Sequence, residues 1–78
     1  MTVHRIRFQG PAAIAVHAAT DLADADGVDL LSSEQPSRVD EYTVGLEVSV
    51  EGSRDDVAAA VARIGADLPA GASIAIVD

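Results

Sequence analysis

The sequence VGLEVSVE at residues 44–51 carries the clearest strand pattern of the chain. Apolar and polar side chains alternate strictly along it, with valine or leucine at positions 44, 46, 48 and 50. A period of two residues is typical of a β-strand that buries one of its faces. Residues 44–51 are therefore predicted to form a strand with one apolar and one polar face.

A helix is predicted directly after this strand. Ser53 stands three residues before Asp56, an aspartate version of the capping box, in which a serine hydroxyl accepts a hydrogen bond from the backbone of the first turn. Gly65 is expected to end this helix. The apolar side chains between them have the spacing of one helix face: Val57, Ala60, Val61 and Ile64.

The first part of the chain shows the same succession of strand and helix. In residues 2–8, Ile6 and Phe8 alternate with Arg5 and Arg7, which predicts a strand. Pro11 suits the first turn of a helix, which is predicted to run to about Ala25. Residues 28–33 and 72–77 are predicted strands, and residues 34–40 a loop.

The resulting order, β-α-β-β-α-β, predicts an α+β fold in a single domain spanning residues 1–78. Right-handed crossovers give a four-stranded antiparallel sheet, order 4-1-3-2, with both helices on one face. This arrangement resembles the ferredoxin-like sandwich. The side chains expected beneath the helices are Ile6, Phe8, Val28, Leu30, Val44, Leu46, Val48, Val50, Ile74 and Ile76.

The composition excludes several function classes. The 78 residues carry a net charge of −8, five arginines and no lysine, which argues against partners such as nucleic acids and anionic membranes. The lack of cysteine excludes disulfides and thiolate metal sites. An alanine-rich chain without lysine or asparagine is typical of GC-rich bacterial genomes. A cytoplasmic location is a separate expectation.

Motifs for catalysis or metal binding are not evident. His4, on the apolar side of the first strand, and His17 lack the ligand spacing of a zinc site. Residues 24–29 resemble a fragment of a calcium loop, but Gln35 stands where an EF-hand needs a glutamate. No serine lies in a G-x-S-x-G context. We therefore expect neither an enzyme nor a bound cofactor.

The polar face of the sheet is the candidate functional surface. Arg5 and Arg7 are expected to face Glu47 and Glu51 across neighbouring strands, where opposite charges attract. Two interpretations remain open: a solvated face with surface ion pairs, or a face or edge strand that packs against another copy of the chain. The candidate interface residues are Val3, Arg5, Arg7, Leu31, Glu47, Ser49, Ala75 and Val77.

The chain resembles the acylphosphatases over most of its length. The resemblance is carried by two short stretches, Phe8-Gln9-Gly10 and the sequence VEG at residues 50–52. That family requires an arginine shortly after its Gln-Gly and an asparagine near the end of its second strand. The sequence after Gly10 is PAAI, and the chain has no asparagine. Heavy-metal-associated domains share the predicted order but carry a Cys-x-x-Cys, which is missing here. Neither activity is expected.

The turn at Gln9, Gly10 and Pro11 is similar to the ligand-binding turn of ACT regulatory domains, although the usual Pro-Gly order is reversed. That resemblance implies binding of a small ligand such as an amino acid. The same Gly-Pro helix start resembles small accessory domains of bacterial conflict systems. A self-associating interaction module is the first expectation, and these two functions are the alternatives.

Overall fold

Two helices and an antiparallel sheet make up the described part of the chain, residues 2–77 of a computed structural model. The predicted α+β class is confirmed. The elements in chain order are β1 (Thr2–Gly10), α1 (Ala12–Ala23), β2 (Asp29–Ser33), β3 (Ser37–Arg38), β4 (Val44–Gly52), α2 (Arg54–Asp67) and β5 (Ser73–Ile76).

The sheet has five strands, and its order is β2-β4-β1-β5 with the short β3 also paired to β4. The prediction of four strands is therefore wrong, since β3 is a strand that the predicted order 4-1-3-2 does not contain. The additional strand lies in the segment predicted as a loop, where Ser37 and Arg38 pair with Gly45 and Val44. A two-residue strand has no alternating pattern long enough to be seen in a sequence.

The central pair, β1 and β4, organises the sheet. The two strands pair over nine positions, from Thr2 opposite Gly52 to Gly10 opposite Val44. Both strands bury every second residue, as the alternation predicts. Both helices contact β1, and α1 also contacts β4. The helices therefore cover one face of the sheet, here called the inner face, and leave the opposite side, the outer face, open.

The core lies between the inner face and the helices. His4 is the one polar side chain recorded in it among residues 2–77, and it is 3% exposed. Val44, Ile74 and Ile76 are half-buried rather than buried. The buried apolar residues are Ile6, Phe8, Ala15, Ala18, Leu22, Ala25, Val28, Leu46, Val48, Val50, Val57, Ala60 and Ile64.

Leu30 was predicted in the core, and this prediction is wrong, because 42% of the residue is exposed. Leu30 pairs with Val50 and faces the inner side. It lies on the edge strand β2, however, whose five residues are all exposed. The helix layer is narrower than the sheet at this edge, so inward orientation there does not bring burial.

The start of α2 forms as predicted. The Ser53 hydroxyl accepts a hydrogen bond from the Asp56 backbone N–H at 3.2 Å. The predicted end of α2 at Gly65 is wrong, since the helix continues to Asp67. A β-carbon at position 65 would lie 3.3 Å from the Ile74 side chain. Gly65 thus serves close packing of α2 on β5 and does not end the helix.

The segment between β3 and β4 closes with a polar turn. The Tyr42 backbone N–H donates to Asp40 Oδ1 at 2.9 Å. This hydrogen bond favours the charged carboxylate, so it holds the pKa of Asp40 below its usual value. Val39 N–H also donates to the Thr43 carbonyl at 2.9 Å, which fixes the backbone of the turn.

Candidate functional site on the outer face of the sheet

The two central strands supply the middle of the outer face. Val3, Arg5 and Arg7 of β1 are exposed, whereas Glu47 and Ser49 of β4 are half-buried. Arg5 lies directly opposite Ser49, and Arg7 lies directly opposite Glu47. The predicted candidate residues of these two strands therefore form one contiguous surface.

Arg5 is the cation of a small ion-pair cluster. Its Nη2 atom lies 3.4 Å from Glu47 Oε2 and 3.5 Å from Glu34 Oε1. The Arg5 side chain is 51% exposed and that of Glu34 is 62% exposed. Pairs as open as these contribute about 0–1 kcal/mol, so they orient the side chains more than they stabilise the fold.

The expectation that both arginines would face Glu47 and Glu51 is wrong in part. Glu51 lies opposite Val3, two positions from Arg5 along β1. Arg7, although opposite Glu47, forms no ion pair recorded within residues 2–77. Its guanidinium lies over Gly45, where a β-carbon would be 3.9 Å from Arg7 Nη2. The antiparallel register thus leaves one arginine of the face with its charge available.

The apolar side chain of Leu31 lies at a register shift in β2. Asp29 and Leu30 pair with Glu51 and Val50, and pairing then resumes with Ser32 opposite Ser49. Leu31 is the extra residue of this bulge and is 52% exposed. It therefore lies beside Ser32, near the level of Ser49, in agreement with its predicted place on the outer face.

The far edge of the face is formed by β5 and the residue after it. Ala75 lies opposite Arg7. The Val77 backbone N–H donates to the Arg5 carbonyl at 2.9 Å, which places Val77 at the level of Arg5. Val77 is 44% exposed. The structure thus brings all eight predicted interface residues onto one side of the sheet.

The alternative site at Gln9, Gly10 and Pro11 has a simpler structural explanation. Gly10 is buried, and a β-carbon there would lie 2.9 Å from the Ala72 β-carbon. The glycine therefore allows the end of β1 to approach the turn before β5. Two cavities within residues 2–77, one beside Val16 and one beside Arg63, are lined by other residues. No observation in the described chain favours a ligand at this turn.

Neither histidine joins a metal-binding group. His17 Nε2 lies 3.5 Å from Asp21 Oδ2 on the exposed side of α1. His4 is buried on the inner face. Within residues 2–77 no three histidine, cysteine, aspartate or glutamate side chains come together as a metal site would require.

An apolar groove between α1 and β2 is the feature that the sequence did not predict. Its volume is about 370 Å³. The walls are mostly apolar, and Thr20, Asp24, Ser33 and Glu34 supply its polar groups. The one signal in the sequence was an apolar Leu30 on a short strand at the sheet edge, which pattern alone assigned to the core.

These observations define the class: a small α+β protein whose antiparallel sheet is covered by helices on one face and open on the other. No protein-family model matches the sequence, and no curated protein matches it. Among residues 2–77, neither helix has the length and apolar character needed to cross a bilayer.

Proposed function

We propose that this chain is a ferredoxin-like, non-catalytic assembly module, and that two copies associate through their outer faces. The fold assignment is supported by the four longer strands, which, numbered among themselves, run 2-3-1-4 across the sheet. The short β3 is then an insertion in the connection between the second and third of them. The proposed partner is a second copy because the outer face is complementary to itself.

The complementarity follows from the strand order. A two-fold axis parallel to the strands, placed between β1 and β4, lays β1 of one copy over β4 of the other and β2 over β5. Sheets that pack face to face keep their strands aligned to within roughly 30°. Residues that lie side by side across neighbouring strands are here said to be at one level of the sheet. In the two-fold arrangement, residues at one level meet residues at the same level of the partner.

One such level carries the apolar contacts. Leu31 lies near the level of Ser49, Ser49 is opposite Arg5, and Val77 is bonded to Arg5. The two-fold arrangement therefore lays Leu31 of each copy over Val77 of the other. Both side chains are about half exposed in the isolated chain, and their burial would favour association at about 25 cal/mol per Å².

The next level carries the charges. Glu47 and Arg7 are opposite each other on β4 and β1, so the same axis lays Glu47 of each copy over Arg7 of the other. The charge of Arg7, which no acidic side chain within residues 2–77 pairs with, would gain a partner in this way. This match between Arg7 and Glu47 is the observation that carries the proposal.

Association through the edge of β2 is the less suitable alternative. The bulge at Leu31 interrupts the regular spacing of backbone groups that a further strand would need. Bulges of this kind are one of the devices by which proteins protect edge strands from pairing. The outer face has no comparable obstacle at the levels of Arg5 and Arg7.

Leu31→Asp is expected to weaken self-association by at least about tenfold, because it removes the apolar contact with Val77 of the partner copy and adds a further acid to the packed surface. The weight-average mass from sedimentation equilibrium measures the effect, with the unmodified chain approaching twice 8.0 kDa. Leu30→Asp is the matched control, since Leu30 is 42% exposed on the inner face. Circular dichroism checks that both variants fold.

Dissociation by Leu30→Asp together with an unaffected Leu31→Asp protein would show that the contact lies on the helix side of the sheet. An unmodified chain that stays at 8.0 kDa up to roughly 100 μM, a concentration at which micromolar affinity would be seen, would overturn the proposal altogether.

A further inference from the structure

The groove between α1 and β2 exists because the sheet is wider than the helix layer. The helix α1 packs on β1 and β4, while its contacts with β2 are few. The inner side of β2 is therefore covered only in part, and Leu30 remains 42% exposed. Val16, 52% exposed, forms the opposite wall on α1. Leu46 and Val48 form part of the lining.

The groove lies where a further helix could pack beside α1. Helices that pack side by side in a layer are separated by roughly 8–10 Å, and an amphipathic helix inserts apolar side chains spaced at i, i+3, i+4 and i+7. A helix laid beside α1 and above β2 would cover Val16 and Leu30 together. The cavity of about 370 Å³ has room for apolar side chains of such a helix.

The charges around the groove indicate which kind of partner would bind there. Asp24 and Glu34 belong to its lining, and Asp21 lies exposed one turn earlier on α1. No arginine or histidine lines the groove among the described residues. An acidic rim around an apolar groove favours an occupant whose apolar stripe is flanked by lysine or arginine.

A second copy of this chain does not meet that description. Both described helices already bury their apolar sides against their own sheet. The chain has no lysine, and neither described helix offers a free apolar face flanked by basic side chains. A helix of a different protein fits this groove better than a second copy of the described chain does.

We propose that the groove binds a basic amphipathic helix of a partner protein, which completes the helix layer beside α1. This inference does not depend on self-association, because the apolar walls of the groove lie on the inner side of the sheet. Glu34, which lines the groove and also pairs with Arg5 at 3.5 Å, is the residue that adjoins both surfaces. The partner helix inserts apolar side chains between Val16 and Leu30 and places basic side chains near Asp24 and Glu34.

The probe for this site is a synthetic 18-residue helical peptide with leucines on one face and lysines on the other. Two control peptides separate the contributions of charge and apolar pattern. One has the same composition in scrambled order, and the other has glutamate in place of lysine. Amide and methyl chemical shifts of the labelled protein report where each peptide binds, and a titration gives Kd.

The patterned lysine peptide is expected to shift the signals of Val16, Ala19 and Leu30, and to bind at least about tenfold more tightly than either control. Val16→Glu in the protein should weaken that binding by about tenfold or more. Val3→Glu is the matched control, because Val3 is 50% exposed on the outer face. It should leave the Kd unchanged.

Three results would overturn the proposal. The first is equal binding of the scrambled peptide, which would show attraction to net charge alone. The second is a set of shifts confined to the outer face. The third is an unchanged Kd for Val16→Glu when its circular dichroism shows a folded protein.

Discussion

Phe8→Ala is expected to lower the free energy of unfolding by about 3–5 kcal/mol, the usual range for removing a buried aromatic ring. Phe8 is the one phenylalanine of the chain and is 1% exposed. It lies at the centre of the sheet, opposite Leu46 on one side and Ile74 on the other. The cavity left by alanine cannot be filled by small neighbours such as the buried alanines of α1.

The effect on the melting temperature should be large because the domain is small. For 60–100 residues, each 1 kcal/mol shifts the melting temperature by roughly 4–8 °C. Calorimetry or urea unfolding of the unmodified and Phe8→Ala proteins measures the loss. Tyr42→Ala is the control, since Tyr42 is 78% exposed and its removal should change stability by less than about 0.5 kcal/mol. A Phe8→Ala loss below about 1 kcal/mol would contradict the described core.

Gly52→Ala is the second substitution with a large expected effect. A β-carbon at position 52 would collide with the Gly27 carbonyl oxygen, well inside contact distance. The backbone around Gly27 cannot easily retreat, because Gly27 has φ +77° and itself lies against Asp56. Overpacking costs typically about 1–3 kcal/mol, and a backbone obstacle places this site at the upper end of that range.

Gly45→Ala is the matched control for this prediction, since Gly45 lies on the same strand but faces outward. A β-carbon there would be 3.5 Å from Val39, an ordinary contact distance. Alanine also loses less backbone entropy than glycine on folding, so the control should be neutral or stabilising by about 0.5–1 kcal/mol. Urea unfolding of both variants makes the comparison. Equal stabilities of Gly52→Ala and Gly45→Ala would contradict the close approach of the β4 end to Gly27.

Local sequence patterns predict where helices and strands begin, but they do not reveal contacts between distant parts of the chain. The alternation in residues 44–51 and the Ser53 cap predict β4 and the start of α2, because both signals are local. The span of α2 past Gly65 depends on packing against Ile74, a contact that no local pattern reveals. The exposure of Leu30 likewise depends on where α1 lies relative to the sheet edge.

The candidate interface was likewise predictable only in part. Period-two alternation assigns Val3, Arg5 and Arg7 to the outer face without knowledge of the partner strand. The identity of the residue opposite each arginine depends on register, which is why the pairing with Glu51 was wrong. The bulge at Leu31 shifts the pairing between β2 and β4 and has no signature in the sequence.

Mixing two charge-reversal variants tests the proposed contact between Arg7 of one copy and Glu47 of the other. Arg7→Glu and Glu47→Arg each create like-charge contacts in their own homodimers. In the mixed dimer, one contact joins the two substituted positions, a glutamate against an arginine. The other contact joins the unchanged Arg7 and Glu47, so both contacts have opposite charges. Sedimentation equilibrium of each variant and of the mixture is the measurement. This contact predicts a mass near 8.0 kDa for each variant alone and about twice that value for the mixture. A mixture that remains at 8.0 kDa would contradict it.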